Sequence, residues 1–542
     1  MLLTQILLSI VYITVDTTRA ARPNIVFIIA DDLGWNDVGF HGSDQIPTPN
    51  IDALAYTGVP LQNYYVSPIC TPSRSALMTG KYPIHTGMQH TVLFGAEPRG
   101  LPLSERLLPQ YLRDLGYTTR IVGKWHLGSY KREYTPTHRG FDSHLGYWTG
   151  HQDYFDHTAC EKGMWGLDMR NNMDAAWDLH GQYSTDIYTK ESVRLIRSHN
   201  TSKPLFLYLA HTAVHSGNPY NPLPAPDNDV AAFSHIENFN RRKFAAMMNK
   251  LDDSVGEVVA ALKDTGMLEN TIIVFTTDNG GPAAGFNLNA ASNWPLRGVK
   301  NTLWEGGVRG AGLVWSSLLP NGWISSDLTH ISDWLPTLVS AAEGDTSVFK
   351  NIDGINQWPS MSRGVPTTRT EVLHNIDDIY GSSSLTVGDW KIVKGTNYQG
   401  QWDGWYGPSG RPDNHSTPYD ITAVVNSLAG RAVASVGREI HPDKALKLRK
   451  KMEVKCTGER SECLPLKNPC LFNIKADPCE ENNLASRYPQ VLRHLDYLLG
   501  VHNATAVPPS NLPLDHQGDP RLWDHTWTNF GDYAITTNDI LR

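Results

Sequence analysis

The chain predicts an α/β fold built on a large, mostly parallel central sheet, and three observations predict it. Four runs of apolar and β-branched residues are continuous rather than alternating, the pattern of strands buried on both faces. Segments with helical spacing lie between those runs. Each run ends in polar side chains able to do chemistry, and ligands in such sheets bind beyond the carboxyl ends of the strands.

The first run, Asn24 to Ala30, leads into Asp31-Asp32. A helix is expected over Ser104 to Leu115, where Leu107, Leu108, Tyr111, Leu112 and Leu115 fall on one face. Tyr117 to Gly123 is the second strand and leads into Lys124-Trp125-His126. Pro204 to Ala210 is the third and leads into His211. A longer helix, Arg241 to Leu262, precedes the fourth strand, Thr271 to Thr277, which leads into Asp278-Asn279-Gly280-Gly281. After about residue 370 the texture changes. Ser384 to Val387 and Trp390 to Val393 suggest antiparallel strands, and Leu471 to Pro478 a strand and turn. The expected division is a signal segment at 1–20, a catalytic α/β domain at 21–370 and a smaller C-terminal antiparallel-sheet domain at 371–542.

The chain has 542 residues, 40% hydrophobic and 19% charged, with a formal net charge of -8. That balance argues against a general nucleic-acid partner. An anionic substrate would need positive charge concentrated locally. Leu2 to Val15 is mostly apolar and is followed by small residues at Thr18 and Ala20, a secretory signal pattern without a basic start. The stretch is shorter than the ~20 apolar residues a membrane span needs, and no later segment is a candidate for a stable span. Three glycosylation sequons, at Asn200, Asn414 and Asn503, agree with a secretory route ending in a lysosome or outside the cell.

Of six cysteines, Cys456, Cys463, Cys470 and Cys479 cluster near the C-terminus. They allow two disulfides in three connectivities. Cys160 is left unpaired, or takes one of the four and frees another. Zinc is the weaker alternative, because the cluster has no Cys-x-x-Cys pair.

Asp31, Asp32, Asp278 and Asn279 offer only oxygen ligands, which suits a hard cation, Ca²⁺ or Mg²⁺, and does not suit zinc. Two adjacent carboxylates at the end of a buried strand repel each other unless a cation neutralises them. Arg74, Lys124, His126, His211 and Lys300 supply positive charge and proton donors for an anionic ester. His41, His85, His90 and His144 read as incidental.

The run from Pro68 to Gly80 contains Cys70-Thr71-Pro72-Ser73-Arg74 and ends Leu77-Met78-Thr79-Gly80. It resembles the maturation signature of type I sulfatases, Cys-x-Pro-x-Arg. Gly116 to His126 is similar to the family's second signature. Asn293 to Lys300, Leu303 to Gly310 and Gly146 to Tyr154 resemble the arylsulfatase B branch in particular. The resemblance covers residues 22 to 370 strongly and the remainder loosely.

It implies the alkaline phosphatase-like α/β sandwich with a small C-terminal sheet. It implies that a formylglycine-generating enzyme oxidises Cys70 to formylglycine, whose hydrate attacks the sulfur of a sulfated small molecule or glycan. By the same resemblance Ca²⁺ is held by Asp31, Asp32, Asp278, Asn279 and the modified Cys70. Arg74 holds the diol, Lys124 binds diol and sulfate, His126 helps to expel sulfate, and His211 or Lys300 protonates the leaving alcohol. Cys160 resembles one half of a family disulfide, with Trp165 at the partner's position. Two segments depart from arylsulfatase B, Asn218 to Asn228 and Gly281 to Asn293, both expected at the pocket mouth. The expected activity is sulfate ester hydrolysis, on N-acetylgalactosamine 4-sulfate of glycosaminoglycans or on small dietary or aryl sulfates. A non-catalytic glycan binder and a phosphatase of the same superfold are the weaker readings.

Overall fold

The computed structural model describes residues 22–320, 322–411 and 418–533. The signal segment at 1–20 and the sequon at Asn414 lie outside the described residues. In chain order the strands are β1 (Asn24–Ala30), β2 (Val59–Pro60), β3 (Tyr64–Tyr65), β4 (Thr118–Lys124), β5 (Ser143–Tyr147), β6 (Thr158–Glu161), β7 (Met164–Leu167), β8 (Arg170–Asn171), β9 (Asp174–Ala175), β10 (Leu205–Ala210), β11 (Thr271–Thr277), β12 (Gly312–Ser316), β13 (Thr329–His330), β14 (Glu371–Asp377), β15 (Ser382–Val387), β16 (Trp390–Lys394) and β17 (Cys470–Asn473).

Nine of them form one sheet in the order β2-β12-β11-β1-β10-β4-β5-β8-β9. The central five, β11-β1-β10-β4-β5, are parallel, and the strands flanking them on both sides run antiparallel. The four continuous apolar runs are four of the five parallel strands. Their lack of alternation has a plain cause, since helices cover both faces. Val26, Ile28 and Ala30 of β1 pack with the helices Pro49–Thr57, Ser184–Arg197 and Phe239–Asp264. Ile25, Phe27 and Ile29 face the other way, onto the helices Cys70–Thr79, Leu108–Asp114 and Trp334–Ala341. Each of the Val, Ile and Phe side chains, fully buried, contributes about 1.5–3 kcal/mol of transfer free energy.

A second, antiparallel sheet has the order β14-β15-β16-β17 and carries its own apolar cluster with the helix Pro489–Asn503. The chain between β16 and β17 does not stay with that sheet. Its helices Ile421–Asn426, Leu428–Ala434 and Pro442–Met452 place Val424, Ala432, Val433 and Met452 in the core of the large layer. Lys391 of β16 links the two layers, bonding Glu305 and Glu480 at 2.9 Å each with no exposure of any of the three side chains' charged pairs to solvent. The disulfides are Cys456–Cys479 and Cys463–Cys470, and Cys70 and Cys160 are free thiols. Cys160 stands opposite Trp165 in the β6–β7 hairpin. No helix among the described residues is long and apolar enough to cross a membrane.

Candidate active site

Parallel strands place their carboxyl ends along one edge, and register brings the chemistry there. Ala30 pairs with Thr277, Ile29 with Ala210, and Ala210 with Gly123. The residues that follow, Asp31-Asp32, Asp278-Asn279 and Lys124 at the end of β4, therefore meet. The helix Cys70–Thr79 points its amino terminus at the same edge. Ile69 is extended just before it, so Cys70 sits in the first turn, where free backbone N–H groups favour negative charge. Arg74 follows one helical turn later and faces the same way.

The cations and carboxylates form a closed set. Arg74 donates to Asp278 Oδ2 through Nη2 at 2.8 Å and Nε at 3.1 Å. Lys124 Nζ donates to Asp31 at 2.7 Å, and Lys300 Nζ to Asp32 at 2.7 Å. Asn279 Nδ2 donates to Asp32 Oδ1 at 2.7 Å, and the Asp32 backbone N–H to Asp278 Oδ1 at 3.2 Å. Asp32 and His126 hold left-handed backbone, with φ of 65° and 58°. Two such non-glycine residues in one site mark backbone strain, which tends to collect at functional positions.

Burial alone would raise the Asp32 carboxyl, but Lys300, His215 and Asn279 outweigh it and hold it at about 2. Burial and then repulsion from Asp31 push Asp278 up to about 6, against the pull of Arg74. Burial raises the Cys70 thiol, and Lys124 and Lys300 oppose that shift. Burial, Lys124 and Arg74 keep the His126 ring neutral. That ring donates Nε2–H to the Leu93 carbonyl at 2.9 Å.

A cation fits this set. One oxygen from each of Asp31, Asp32 and Asp278 lies within 4.8 Å of the others. Asp31 Oδ1 and Asn279 Oδ1 are buried with no hydrogen-bond partner. Three carboxylate oxygens and an amide oxygen form a hard donor set, the kind that takes Ca²⁺ or Mg²⁺.

The structure brings together Asp31, Asp32, Cys70, Arg74, Lys124, His126, Asp278, Asn279 and Lys300. It does not bring His211 with them, which corrects the expected role of that residue. His211 Nε2 meets Ser254 Oγ of the Phe239–Asp264 helix at 3.0 Å, so the ring turns under the sheet. His215 stands at the site in its place. Its Nδ1–H donates to the Ser216 carbonyl at 2.7 Å, which fixes the tautomer. The bare Nε2 then faces Lys300 Nζ at 3.1 Å and Asp32 at 3.4 Å. Burial and the two lysines hold this ring down at about 3, against Asp32. One donor atom each of Asp31, Cys70 and His215 also fall within 4.8 Å of one another. His215 follows His211 by four residues in the same post-strand loop. That proximity was the available signal, but loop side-chain direction has no periodicity to read.

The site opens into a cavity of about 460 Å³ lined by Cys70, His126, His151, Lys162, His215 and Lys300. His151 is a second residue that sequence reasoning missed. Pro219 and the pair Asn287 and Leu288 also line it, so both departing segments do reach the mouth. A larger cavity of about 770 Å³ surrounds Arg241 and Arg411, but neither Cys70 nor any of Asp31, Asp32 and Asp278 lines it. The smaller cavity is therefore the candidate active site.

A helix-borne nucleophile position, a cation site and fixed positive charges at one sheet edge suit the hydrolysis of an anionic ester. The chain belongs to the sulfatase family, whose model, described as Sulfatase, matches residues 23–344. It is 42% identical over 520 residues to arylsulfatase J of Mus musculus, covering 94% of this chain and 81% of that protein. It is 30% identical over 515 residues to N-acetylgalactosamine-6-sulfatase of Canis lupus familiaris, covering 90% and 87%. Among solved structures it is similar to Ps i-CgsB, with a TM-score of 0.70 and 27% identity over 92% of this chain and 97% of that one. The fold is thus the alkaline phosphatase-like α/β type, and the protein is a sulfuric ester hydrolase.

Proposed function

We propose that the protein hydrolyses sulfate esters on glycans, with Cys70 matured to formylglycine and Ca²⁺ held by Asp31, Asp32, Asp278 and Asn279. The observation that supports this most is the convergence of Cys70, three carboxylates, Arg74, Lys124 and Lys300 on one buried edge. Relatives named for an N-acetylgalactosamine sulfate, and a 27% identical neighbour solved with k-i-k-neocarrahexaose, favour a sugar substrate over a small aryl sulfate. The 4-sulfate of N-acetylgalactosamine is the specific candidate. Passage through the secretory pathway to a lysosome or the cell exterior is supported by the apolar leader pattern and the sequons. Of these, Asn200 and Asn503 are exposed.

The hydrated formylglycine supplies the oxygen nucleophile, and the bound cation supplies charge for the sulfate oxygens. The chain's own residues do the remainder. Lys124 and Lys300, anchored by Asp31 and Asp32, present fixed positive charge where the ester oxygens lie. Arg74 is clamped by Asp278 and holds the Cys70 turn in place. Lys300, whose ammonium contacts the bare Nε2 of His215, is placed to give a proton to the leaving oxygen, and His215 positions it. His126 has an unpartnered buried Nδ1 and takes the proton at Cys70.

The test is the mass of the peptide carrying Cys70, from protein made in a eukaryotic secretory host, together with turnover of 4-methylumbelliferyl sulfate. A formylglycine mass with turnover, both lost in Cys70→Ala, supports the reading. An unmodified thiol in a host that matures a control sulfatase overturns it.

A further inference from the structure

The rim of the catalytic cavity carries a cation that the hydrolysis itself does not use. Strands β6 and β7 form a hairpin whose two-residue turn is Lys162-Gly163, with φ of 52° and 84°. Positive φ at both positions matches the tight twist of a two-residue hairpin turn and fixes the tip. Glu161, beside it, points inward. Its two carboxylate oxygens accept the N–H of Gly95 at 2.6 Å and of Gly150 at 3.2 Å, which pins the hairpin to the cavity wall. Lys162 is thereby held on the mouth, with Nζ 4.9 Å from the centre of the Phe94 ring. It forms no ion pair among the described residues. The carboxylate adjacent in sequence is spent on backbone N–H groups. Across the opening stands Leu288, half exposed, on the Gly281 to Asn293 segment.

A substrate whose sulfate reaches Cys70 must leave the cavity between these walls. The deep cations are already matched by Asp31, Asp32 and Asp278, whereas Lys162 has no carboxylate partner among the described residues. Phe94 and Leu288 offer apolar faces of the kind that pack against a sugar ring. An aryl sulfate ends within those walls and has no use for a rim cation.

We propose that Lys162 is a specificity-determining residue that receives a second anionic group, borne by the sugar next to the one carrying the scissile sulfate. The preferred substrates are then acidic oligosaccharides rather than isolated monosulfates. This rests on the glycan-sulfatase reading above.

The test is competition against 4-methylumbelliferyl sulfate turnover by two disaccharides. Both carry N-acetylgalactosamine 4-sulfate linked to glucuronate, one with a free carboxylate and one as its methyl ester. The wild type is expected to bind the acid about fivefold more tightly than the ester at low salt, the scale of a partly exposed ion pair. Lys162→Asn removes the charge with a residue that tolerates positive φ, and should bring that ratio to about one. Lys162→Arg should keep it. A third competitor, with a sulfate in place of the carboxylate on the second sugar, distinguishes the two anions. Equal inhibition by acid and ester in the wild type, no inhibition by any of the three, or an unchanged ratio in Lys162→Asn would overturn the proposal. Absence of sulfate release from both the aryl sulfate and the disaccharides in formylglycine-bearing wild type would instead sink the reading on which it rests.

Discussion

His211 and His215 are four positions apart in sequence, yet they lie in different chemical worlds. His211 bonds Ser254 in the helix layer, whereas His215 faces Lys300 and Asp32 across the cavity floor. Replacing His215 with Ala is expected to lower kcat for 4-methylumbelliferyl sulfate by about 100-fold, the usual worth of proton transfer by a positioned group, because Lys300 loses the ring that orients its ammonium. His211→Ala should act on stability and leave kcat within about tenfold. The opposite ranking would return the role to His211. His144 carries a pH prediction. Burial holds its folded value down at about 4 from 6.5, and its Nε2–H donates to the Gly123 carbonyl at 3.1 Å. A depressed histidine contributes stability that is full above pH 6.5 and is lost as pH falls towards 4. By pH 5 the loss reaches roughly 2 kcal/mol, at 1.36 kcal/mol per unit. His144→Gln keeps a donor and does not titrate. Its stability relative to wild type should therefore improve by that amount between pH 7 and pH 5 in denaturant melts. A constant difference across that range would refute the assignment.

At the scale of the element, β4 shows how a strand end is shaped to deliver a side chain. Gly123 has φ of 99°, and a Cβ placed there would lie 1.8 Å from the Ala210 carbonyl of β10. Glycine lets β4 pass close to its neighbour and then turn Lys124 onto Asp31. Gly123→Ala is expected to destabilise the fold by about 3 kcal/mol or more, combining left-handed strain with overpacking. It should also cut activity, because Lys124 rides on the next peptide. Wild-type melting with wild-type kcat/KM would show that neither constraint is real. The β6–β7 hairpin works the same way on a smaller scale, with buried Glu161 anchoring a turn whose exposed lysine remains available.

For the whole molecule, the cation site joins β1 to β11 and so belongs to the stability of the large layer. Removing the ion is expected to lower Tm and abolish turnover, and added Ca²⁺ should restore both. Ligand at about 100 times its Kd stabilises by about 2.7 kcal/mol. No change in Tm on chelation, in protein shown to be metal-free afterwards, would exclude a resident cation. The seam between the two sheets is held by Lys391 with Glu305 and Glu480, all buried. The chain also crosses that seam more than once, because residues 421–452 return to the first core.

Sequence by itself determined the parallel strands, since a run such as Ile25 to Ala30 is apolar at every position only when both faces are covered. It also determined which strand ends could hold a hard cation, because Asp31-Asp32 and Asp278-Asn279 carry only oxygen donors. The Cys70 to Arg74 signature marked the expected position of the nucleophile. All of these signals are local, set by periodicity or by neighbouring residue types. The tertiary structure alone decided what depends on distance through space. It chose one of three pairings for Cys456, Cys463, Cys470 and Cys479, and it left Cys160 opposite a tryptophan. It turned His211 away and brought His215 in, and it set Lys162 at the rim. A loop side chain points where packing and hydrogen bonds from remote segments send it, and no spacing along the chain records those partners.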